Sequence, residues 1–524
     1  MTDRIAILDL LALPSWRSAV VCLFGAWCAY YIAVGIHRIY FHPLSKFPGP
    51  KLAALTFWYE FYYDVFPHRF QYLWKIKQLH EQYGPIIRIN PIHIHIHDHA
   101  YFDTIYASGT AHKRNRCAWM HHTGAKTMAG SMLEAMDHDL HKSRRSAVAN
   151  FFSKRSVQAL EPLVVSTVEQ LILRLISESG EKIVNLNNAY AAMTMDIISA
   201  YCFGSSMASI ARPEYGKEWL DMLHSGIQMR PLGRQFPWLI NTMLDIPPHI
   251  TARVNTDMAR IATWMHQMQP KIEAIMADGD GDVRQEDKNG QISRTIFHEI
   301  RDAKLSPEEK SPMRLMGESH VFLGAGTETT ARTLAVTTFY LMKHRDIGDK
   351  LREELETVLP QPNSIASLPQ LEALPYLSAV ISEGLRVAHG VSQRQPRIAT
   401  EEELVYKQWV IPRGTPCMQS AYLLHMDPNV YPDPFAFKPQ RWLDNPELKK
   451  YLFAFSRGSR GCLGMNLAIS ELYFAIAMVW RRLDLEIYDT LEETDVLTTH
   501  DCFIGMPDLK SEGVKVKIVG EVTA

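Results

Sequence analysis

Phe455-Ser-Arg-Gly-Ser-Arg-Gly-Cys-Leu-Gly464 is a glycine-rich stretch with a single cysteine, and it leads directly into a helical pattern from Met465 to Trp480. Such a loop lets backbone amides point at the sulfur, and these amides and the helix N-terminus favour the thiolate of Cys462 over the thiol. A thiolate in this setting serves either as a metal ligand or as a nucleophile.

The two roles of Cys462 make different demands on the neighbouring sequence. A nucleophile needs a histidine and an acid in register, and the local sequence supplies neither. A thiolate ligand of haem iron needs a loop that brings one sulfur close to a flat macrocycle. Small residues at Gly458, Gly461 and Gly464 fit that need. The residues therefore favour a haem ligand over a nucleophile.

The loop resembles the cysteine-ligand loop of the cytochrome P450 family, Phe-x-x-Gly-x-Arg-x-Cys-x-Gly, at all five fixed positions. The resemblance implies the cytochrome P450 fold, which is mainly α with small β-sheets. It implies that Cys462 is the axial thiolate of haem b and that Arg460 is a partner of a haem propionate. Phe455 and Gly464 are then also part of the cofactor site.

Two stretches upstream resemble further marks of the same family. Glu383-Gly-Leu-Arg386 places an acid and a base on one helix face, which alone is typical of a surface salt bridge. Phe437-Lys-Pro-Gln-Arg-Trp442 resembles the family's meander segment, with Gln440 where relatives often carry Glu. The resemblance implies that Arg441 joins Glu383 and Arg386 in a buried network that fixes a loop.

A third mark lies inside the helical pattern from Met313 to Lys343, at Ala325-Gly-Thr-Glu-Thr-Thr330. Glycine in mid-helix costs up to about 1 kcal/mol relative to alanine, so a backbone distortion is predicted there. By resemblance, Glu328 and Thr329 support water-relayed proton delivery to dioxygen, and Ala325 and Gly326 leave space for it. The alternative for the stretch alone is a buried helix with small residues for close packing.

Three further residues are predicted near the haem by resemblance. His138-Asp-Leu-His-Lys-Ser-Arg-Arg145 resembles a helix in which relatives carry Trp-x-x-x-Arg against the propionates. His141 stands at the tryptophan position, and Arg145 matches the arginine. Arg397 resembles another propionate partner. Because buried propionates need cations, several arginines are expected in the site, although each alone is typical of a surface charge.

The rest of the chain shows mainly helical patterns and few strands. Helices are predicted over Leu160 to Ser177, Asn255 to Met276, Met313 to Lys343 and Leu377 to Val387, and strands over Ile86 to Ile89, Ile92 to Ile96 and Val405 to Ile411. Two stretches imitate metal sites. Asp278 to Gly290 begins like a calcium loop but lacks its glycine and glutamate, so an exposed loop is predicted. The alternating histidines from His93 to His99 are interpreted as a half-exposed strand rather than as metal ligands.

A charge-free run of 18 residues, from Ala19 to Ile36, is long enough as a helix to span a bilayer core. A transmembrane anchor is predicted, against a buried core helix, a cleaved signal peptide or a helix in the membrane interface. Positive residues after the run place the remaining chain in the cytosol. The predicted segments are a lumenal leader (1–18), the anchor (19–36), a Pro-rich hinge (37–50) and a haem-thiolate catalytic domain (51–524).

The composition excludes other classes of protein. Lys and Arg number 55 against 57 Asp and Glu, a net charge of −2, so no nucleic-acid partner is predicted. Seven cysteines without a CxxC pair argue against a disulfide framework and a zinc module. No dinucleotide fingerprint follows a strand. Electrons are therefore expected from a separate flavoprotein, by resemblance an NADPH-cytochrome P450 reductase.

The anchor and the stretch His42-Pro-Leu-Ser-Lys-Phe-Pro-Gly-Pro50 resemble fungal microsomal members of the family, which implies a monooxygenase of the endoplasmic reticulum membrane. Such an enzyme inserts one oxygen atom from O2 into a lipophilic small molecule, here a terpenoid or polyketide intermediate of secondary metabolism. Two alternatives stay open. One is an isomerase or dehydratase with the same fold, whose members tend to lose the pair found here as Glu328 and Thr329. The other is a membrane haem-binding sensor without turnover.

Overall fold

The computed structural model describes residues 16–109, 111–121, 128–180, 182–253, 256–277 and 294–522. Most of the predicted leader and the whole stretch from Asp278 to Gly290 lie outside these ranges. In the described part of the chain the predicted mainly helical fold with small sheets is confirmed.

The helices account for most of the ordered backbone. In chain order they are α1 (Trp16–Ile36), α2 (Lys51–Leu55), α3 (Trp58–Asp64), α4 (Tyr72–Tyr83), α5 (Phe102–Ile105), α6 (Ala118–His121), α7 (His138–Val148), α8 (Lys154–Ala159), α9 (Glu161–Ser177), α10 (Leu186–Phe203), α11 (Lys217–Gln228), α12 (Arg230–Gln235), α13 (Pro237–Asp245), α14 (Pro248–Thr251), α15 (Thr256–Ala277), α16 (Ile296–Asp302), α17 (Pro312–Lys343), α18 (Arg345–Glu356), α19 (Leu368–Glu372), α20 (Pro375–Ala388), α21 (Ala421–His425), α22 (Gln440–Asp444) and α23 (Met465–Arg482). The predicted helices correspond to α9, α15, α17, α20 and α23 and are confirmed.

The strands are short. They are β1 (Ile86–Arg88), β2 (Ile94–Ile96), β3 (Arg114–Arg116), β4 (Ile183–Asn185), β5 (Arg397–Ala399), β6 (Leu404–Tyr406), β7 (Trp409–Ile411), β8 (Pro416–Met418), β9 (Leu483–Ile487), β10 (His500–Asp501), β11 (Gly505–Met506) and β12 (Lys515–Glu521). The largest described sheet has the order β1-β2-β8-β5-β3, in which β2 and β8 are parallel. In three smaller sheets, β10 pairs with β11, β6 pairs with β7, and β12 lies between β4 and β9.

Two strand predictions need correction. The single strand predicted over Val405 to Ile411 is a hairpin of β6 and β7, because the chain turns at Lys407, whose φ is 50°. The predicted half-exposed histidine strand is also wrong, since His93 and His95 are fully buried. His95 Nδ1 lies 2.7 Å from His80 Nε2, and His93 Nε2 lies 3.2 Å from the Cys117 sulfur. Within the described residues no group of side chains is arranged to hold a metal ion.

The long helix α17 is buried along most of its length and packs most extensively against α10. Its first turn follows the predicted pattern, with Ser311 as N-cap residue and Pro312 in the first turn. Buried threonines of the helix donate their hydroxyls to carbonyls four residues earlier, as Thr327 does to Leu323 O at 2.7 Å. These bonds allow a helix rich in hydroxyl groups to cross an apolar core.

The predicted anchor belongs to a helical segment, Trp16–Phe41, that is long and apolar enough to cross a membrane. Gly35 is the one buried residue of α1, which argues against a buried core helix. The segment joins the rest of the chain through defined contacts: Arg38 Nη1 donates to Leu55 O at 2.7 Å, and Arg88 N donates to Pro48 O at 2.7 Å. The Pro-rich hinge is therefore held against β1.

Candidate active site

One cavity of about 420 Å³ brings together the predicted cofactor and proton-delivery residues. Its lining is formed by the loop before α23, by α7, by the middle of α17 and by β5. The predicted residues in the lining are His141, Arg145, Ala325, Gly326, Glu328, Thr329, Arg397, Phe455, Arg460, Cys462 and Gly464. Residues that are far apart in the chain, between positions 141 and 464, thus line the same cavity.

The loop that carries Cys462 is shaped by its own backbone. Cys462 N donates to Phe455 O at 2.9 Å, and Ser459 N donates to Ala107 O at 3.1 Å. Gly458 has a φ of 74°, and a Cβ there would lie 2.0 Å from Tyr106 O, so only glycine fits. The loop ends at Gly464, where α23 begins.

The sulfur of Cys462 is deep inside the protein but open to the cavity. Burial raises the pKa of the thiol, and this effect exceeds the opposite effects of the Gly464 amide and of Arg145. The Gly464 amide favours the thiolate, as the sequence analysis expected of the loop amides, but in the protein alone burial outweighs this effect. A bound metal ion would supply the missing stabilisation, because coordination deprotonates a thiol.

A cluster of cations surrounds His141 in the same cavity. Burial lowers the pKa of His141 to about 2, and the charges of Arg460, Arg116, Arg145 and Arg397 add to this effect. Burial and the charge of Arg397 also lower the pKa of Arg460, to about 9. His141 is therefore neutral at neutral pH, and its Nδ1 is buried without a hydrogen-bond partner.

The hydrogen bonds of the predicted arginines go to carbonyl groups of the backbone. Arg145 Nη1 donates to Gly461 O at 2.8 Å, Arg397 Nη1 to Pro396 O at 3.1 Å, and Arg460 to four carbonyls of residues 114–137. In the described ranges no carboxylate forms an ion pair with these three side chains. A haem carries two propionates as well as the iron that a thiolate binds, so the donor set fits this cofactor.

The part of α17 that lines the cavity contains Ala325, Gly326, Glu328 and Thr329. The helix continues without interruption from Pro312 to Lys343, so the predicted backbone distortion is not present as a break. Ala325 is exposed to the cavity. A Cβ at Gly326 would lie 2.9 Å from Ile198 Cγ1, so this glycine is needed for close packing against α10.

The two predicted proton-delivery residues have different surroundings. Thr329 Oγ1 donates to Ala325 O at 2.9 Å. Glu328 is buried, and its Oε1 lies 3.0 Å from Nε2 of His224 on α11. This is an ion-pair distance, but the orientation of the imidazole does not meet the geometry of a hydrogen bond. Burial is the largest single effect and lowers the pKa of His224, but the charge and polar contact of Glu328 and the charge of Asp221 together exceed it, and the pKa is raised.

The predicted network around Glu383 lies outside the cavity lining. Glu383 is fully buried and accepts two bonds from Arg386, at 2.7 and 2.9 Å. Arg441 Nε lies 3.2 Å from Glu383 Oε1, as expected. The carboxylate also accepts from Lys438 N at 2.8 Å and Trp442 Nε1 at 2.9 Å. Glu383 thus fixes the segment that precedes the Cys462 loop.

Several ionisable residues in or beside the cavity were not predicted from sequence, among them Arg116, His224 and Glu471. Arg116 on β3 joins the cation cluster, and His224 contacts Glu328. Glu471 on α23 lines the cavity, and burial raises its carboxyl pKa well above the usual range despite a hydrogen bond with Thr330. Glu471 could have been found from the sequence, because it is an acid within an apolar helical pattern. Arg116 and His224 are recognisable only through contacts with residues that are distant in sequence.

Comparisons with known proteins give matches along almost the whole chain. The family model "Cytochrome P450" matches residues 48–511. Cytochrome P450 monooxygenase oblB of Cochliobolus heterostrophus is 38% identical over 517 residues, which cover 97% of this chain and 98% of the relative. Cytochrome P450 monooxygenase ucsK of Acremonium sp. is 36% identical over 98% of this chain and 100% of the relative. Cytochrome P450 monooxygenase TRI4 of Trichoderma arundinaceum is 36% identical over 96% of both chains.

Proposed function

The chain belongs to the cytochrome P450 family and is a haem-thiolate monooxygenase, and we propose that it inserts one oxygen atom from O2 into a lipophilic small molecule. The observation that carries this proposal is one cavity lined by a lone cysteine, a cluster of cations and the pair Glu328 and Thr329. The other oxygen atom leaves as water.

We propose that Cys462 is the axial ligand and that Arg145, Arg397 and Arg460 hold the propionates of haem b. When bound, the haem iron supplies dioxygen binding and reductive cleavage, chemistry that no side chain provides. Arg116 and the neutral His141 lie in the same cluster and are expected to bind the same two carboxylates. Phe455 and Gly464 line the cofactor side of the cavity.

We propose that Glu328 and Thr329 deliver protons. Glu328 exchanges protons with water, and its contact with His224 keeps the carboxylate at the edge of the cavity. The Thr329 hydroxyl lies one residue further along α17 and holds a hydrogen bond at the cavity wall. This intact pair favours a monooxygenase over an isomerase, a dehydratase or a sensor, because those proteins need no timed proton delivery.

The substrate is proposed to be a terpenoid or polyketide intermediate of fungal secondary metabolism. The cavity wall beyond the cofactor residues is mainly apolar, with Met222, Ile227, Ile240 and Ile261 among its side chains. Apolar walls exclude water and favour lipophilic molecules. Relatives that match almost the whole chain are monooxygenases of fungi.

Electrons are proposed to come from NADPH through a separate cytochrome P450 reductase in the endoplasmic reticulum membrane. The apolar segment Trp16–Phe41 supports a single membrane anchor, with a lumenal leader before residue 19 and a cytosolic catalytic domain after the hinge at 37–50. This arrangement brings both proteins to the same membrane surface and gives a lipophilic substrate a short path from the bilayer.

The proposed function is tested by expressing the full chain with a cytochrome P450 reductase in a microbial host and supplying terpenoid and polyketide panels. We expect a product that gains one oxygen atom, carries the label of isotopically labelled O2 and requires NADPH. A product formed without NADPH would instead indicate an isomerase or dehydratase. A haem-containing protein that converts no panel member and consumes no NADPH would indicate a sensor.

A further inference from the structure

Arg230 is a buried cation of the cavity that has no ion-pair partner in the described part of the chain. It is the first residue of α12, is 7% exposed and lines the same cavity as Cys462. In the described ranges no carboxylate lies within 4.0 Å of its guanidinium, and its Nε is buried without an acceptor. Buried charges are normally paired with an opposite charge, so an anion in the cavity would stabilise this guanidinium.

The neighbouring cation Arg234 is a buried arginine whose charge is paired within the chain. Its guanidinium contacts two carboxylates, those of Glu60 and Asp64. Burial lowers the pKa of Arg230, and the opposite effect of Glu134 does not cancel it. The two arginines are four residues apart, but only Arg234 is neutralised by acids of its own chain.

The position of Arg230 is defined by an aromatic ring. Its guanidinium lies 4.6 Å from the ring centroid of Phe503, a cation–π contact. Phe503 has a φ of 92°, which is uncommon for a residue with a side chain, and its carbonyl accepts from Gln393 N at 3.2 Å. Such backbone strain persists where the surroundings fix it and is found often at binding sites. The ring therefore holds the guanidinium in place within the cavity wall.

A second polar group lies near this arginine. His320 of α17 lines the cavity, and its Nδ1 is buried without a hydrogen-bond partner. Burial and then the charge of Arg230 lower the pKa of His320 to about 4, so the imidazole is neutral at neutral pH. A neutral imidazole both donates and accepts hydrogen bonds. Beside the cations of the cofactor cluster, Arg230 and His320 thus add one further cation and one neutral hydrogen-bonding group to the cavity wall.

We propose that Arg230 binds a carboxylate of the substrate, so that the natural substrate is a lipophilic carboxylic acid. This inference rests on the proposed function, because it assigns a binding role within the same cavity. A planar guanidinium matches a carboxylate in two parallel hydrogen bonds. A doubly charged phosphate would need further cations, but the neighbouring Arg234 is already paired with Glu60 and Asp64, and His320 is neutral.

Arg230 is distinct from the cations assigned to the propionates. The charge of Arg230 affects the pKa of Arg116 less than the charges of Arg397 and Arg460 do. It also differs in setting, because it belongs to α12 and contacts Phe503 rather than the Cys462 loop. An anion held by Arg230 would leave the cofactor cations free for the haem.

The test measures binding of matched probes to the full-length holoprotein in detergent. Dodecanoic acid is compared with 1-dodecanol, and abietic acid with abietinol, by haem absorbance titration and by equilibrium dialysis. We expect at least one acid to bind about tenfold to a hundredfold more tightly than its alcohol, as for a charged hydrogen bond. Arg230→Gln should remove this preference, Arg230→Lys should keep part of it, and Arg212→Gln, at a half-exposed arginine outside the cavity, should keep all of it.

Three results would overturn the proposal that Arg230 binds a carboxylate of the substrate. Equal binding of acids and alcohols by the wild type, or an acid preference that survives in Arg230→Gln, would overturn the proposal. A fall in haem content of Arg230→Gln would show that the residue serves a propionate and would also overturn it. Failure of the proposed function is a separate result, because dialysis reports acid binding even where no oxygenated product forms.

Discussion

The Cys462 loop and the middle of α17 line one cavity but are built in different ways. In the loop, backbone hydrogen bonds and a glycine place the sulfur: Cys462 N bonds Phe455 O, and Gly458 packs directly on the carbonyls of Tyr106 and Ala107. The residues that determine this geometry are almost all in one short stretch. The stretch is therefore recognisable in sequence.

The α17 side depends on partners from other helices. Glu328 meets His224 of α11, and Gly326 packs on Ile198 of α10. Neither partner is near α17 in sequence. The difference shows that the position of Cys462 is fixed mainly by backbone geometry, whereas the surroundings of Glu328 and Gly326 are set by contacts between helices.

The largest effect is expected from Cys462→Ala, which removes the proposed ligand. We expect loss of the thiolate-type absorption band of the reduced carbon monoxide complex and loss of all oxygenation. The matched control is Cys202→Ala, a buried cysteine of α10 outside the cavity lining, which should keep the band. An unchanged spectrum for Cys462→Ala would contradict the ligand assignment and with it the distinction between the two sides of the cavity.

The next largest effect is expected from Glu383→Gln, which tests how the Cys462 side is supported. The carboxylate is fully buried and bonded to Arg386, Arg441, Lys438 N and Trp442, so its loss leaves buried cations unpaired. We expect about 3–5 kcal/mol of destabilisation and reduced haem retention, measured by denaturant unfolding and haem absorbance.

The control for Glu383→Gln is a pair at the surface. Lys154 and Glu372 lie 2.7 Å apart with the lysine largely exposed, so Glu372→Gln should cost about 1 kcal/mol or less. Equal effects of the two changes would mean that the Glu383 network does not support the loop.

Much of the fold and part of the site followed from the sequence for physical reasons. Long helices such as α17 and α23 are set by local periodicity and capping, and both were predicted nearly to their ends. The hairpin at Lys407 and the burial of His93 were not, because a turn in an apolar run and the placement of β2 between β1 and β8 depend on the whole sheet.

The site residues differ in the same way, because some are recognisable from a local motif and others only from the assembled fold. Arg460 and Cys462 belong to one motif, whereas Arg116 of the cavity lining and His224, which contacts Glu328, come from distant segments. The effect of burial on Cys462 was also missed. The sequence indicates the amides that favour a thiolate, but the depth of the cavity, which raises the pKa of the thiol, is a property of the assembled fold.

A smaller effect is expected from Thr329→Ala, which tests proton delivery on the α17 side. The fold should be kept, while peroxide released per NADPH consumed should rise several-fold because proton transfer is mistimed. Thr327→Ala is the matched control, since Thr327 makes the same hydrogen bond to the carbonyl four residues earlier but packs against Met195 outside the cavity lining. Equal peroxide release by Thr329→Ala and the parent would refute the role of Thr329.

The smallest effect is expected from His224→Gln, which tests the tertiary contact of Glu328. The pKa of His224 is raised above 6.5, because the charge and polar contact of Glu328 and the charge of Asp221 together outweigh burial, while Arg332 opposes the rise. The stabilisation by the pair is therefore fully present below pH 6.5 and is lost as the pH rises through the raised pKa.

His224→Gln should accordingly lower the melting temperature most below pH 6.5, by an amount that corresponds to about 1 kcal/mol or less, and the difference from the wild type should shrink at higher pH. Glu328→Gln should remove the same pH dependence. A pH-independent loss in His224→Gln would mean that the imidazole acts through packing alone. In that case the α17 side would be set by shape, as the Cys462 loop is, and the contrast between the two sides would no longer hold.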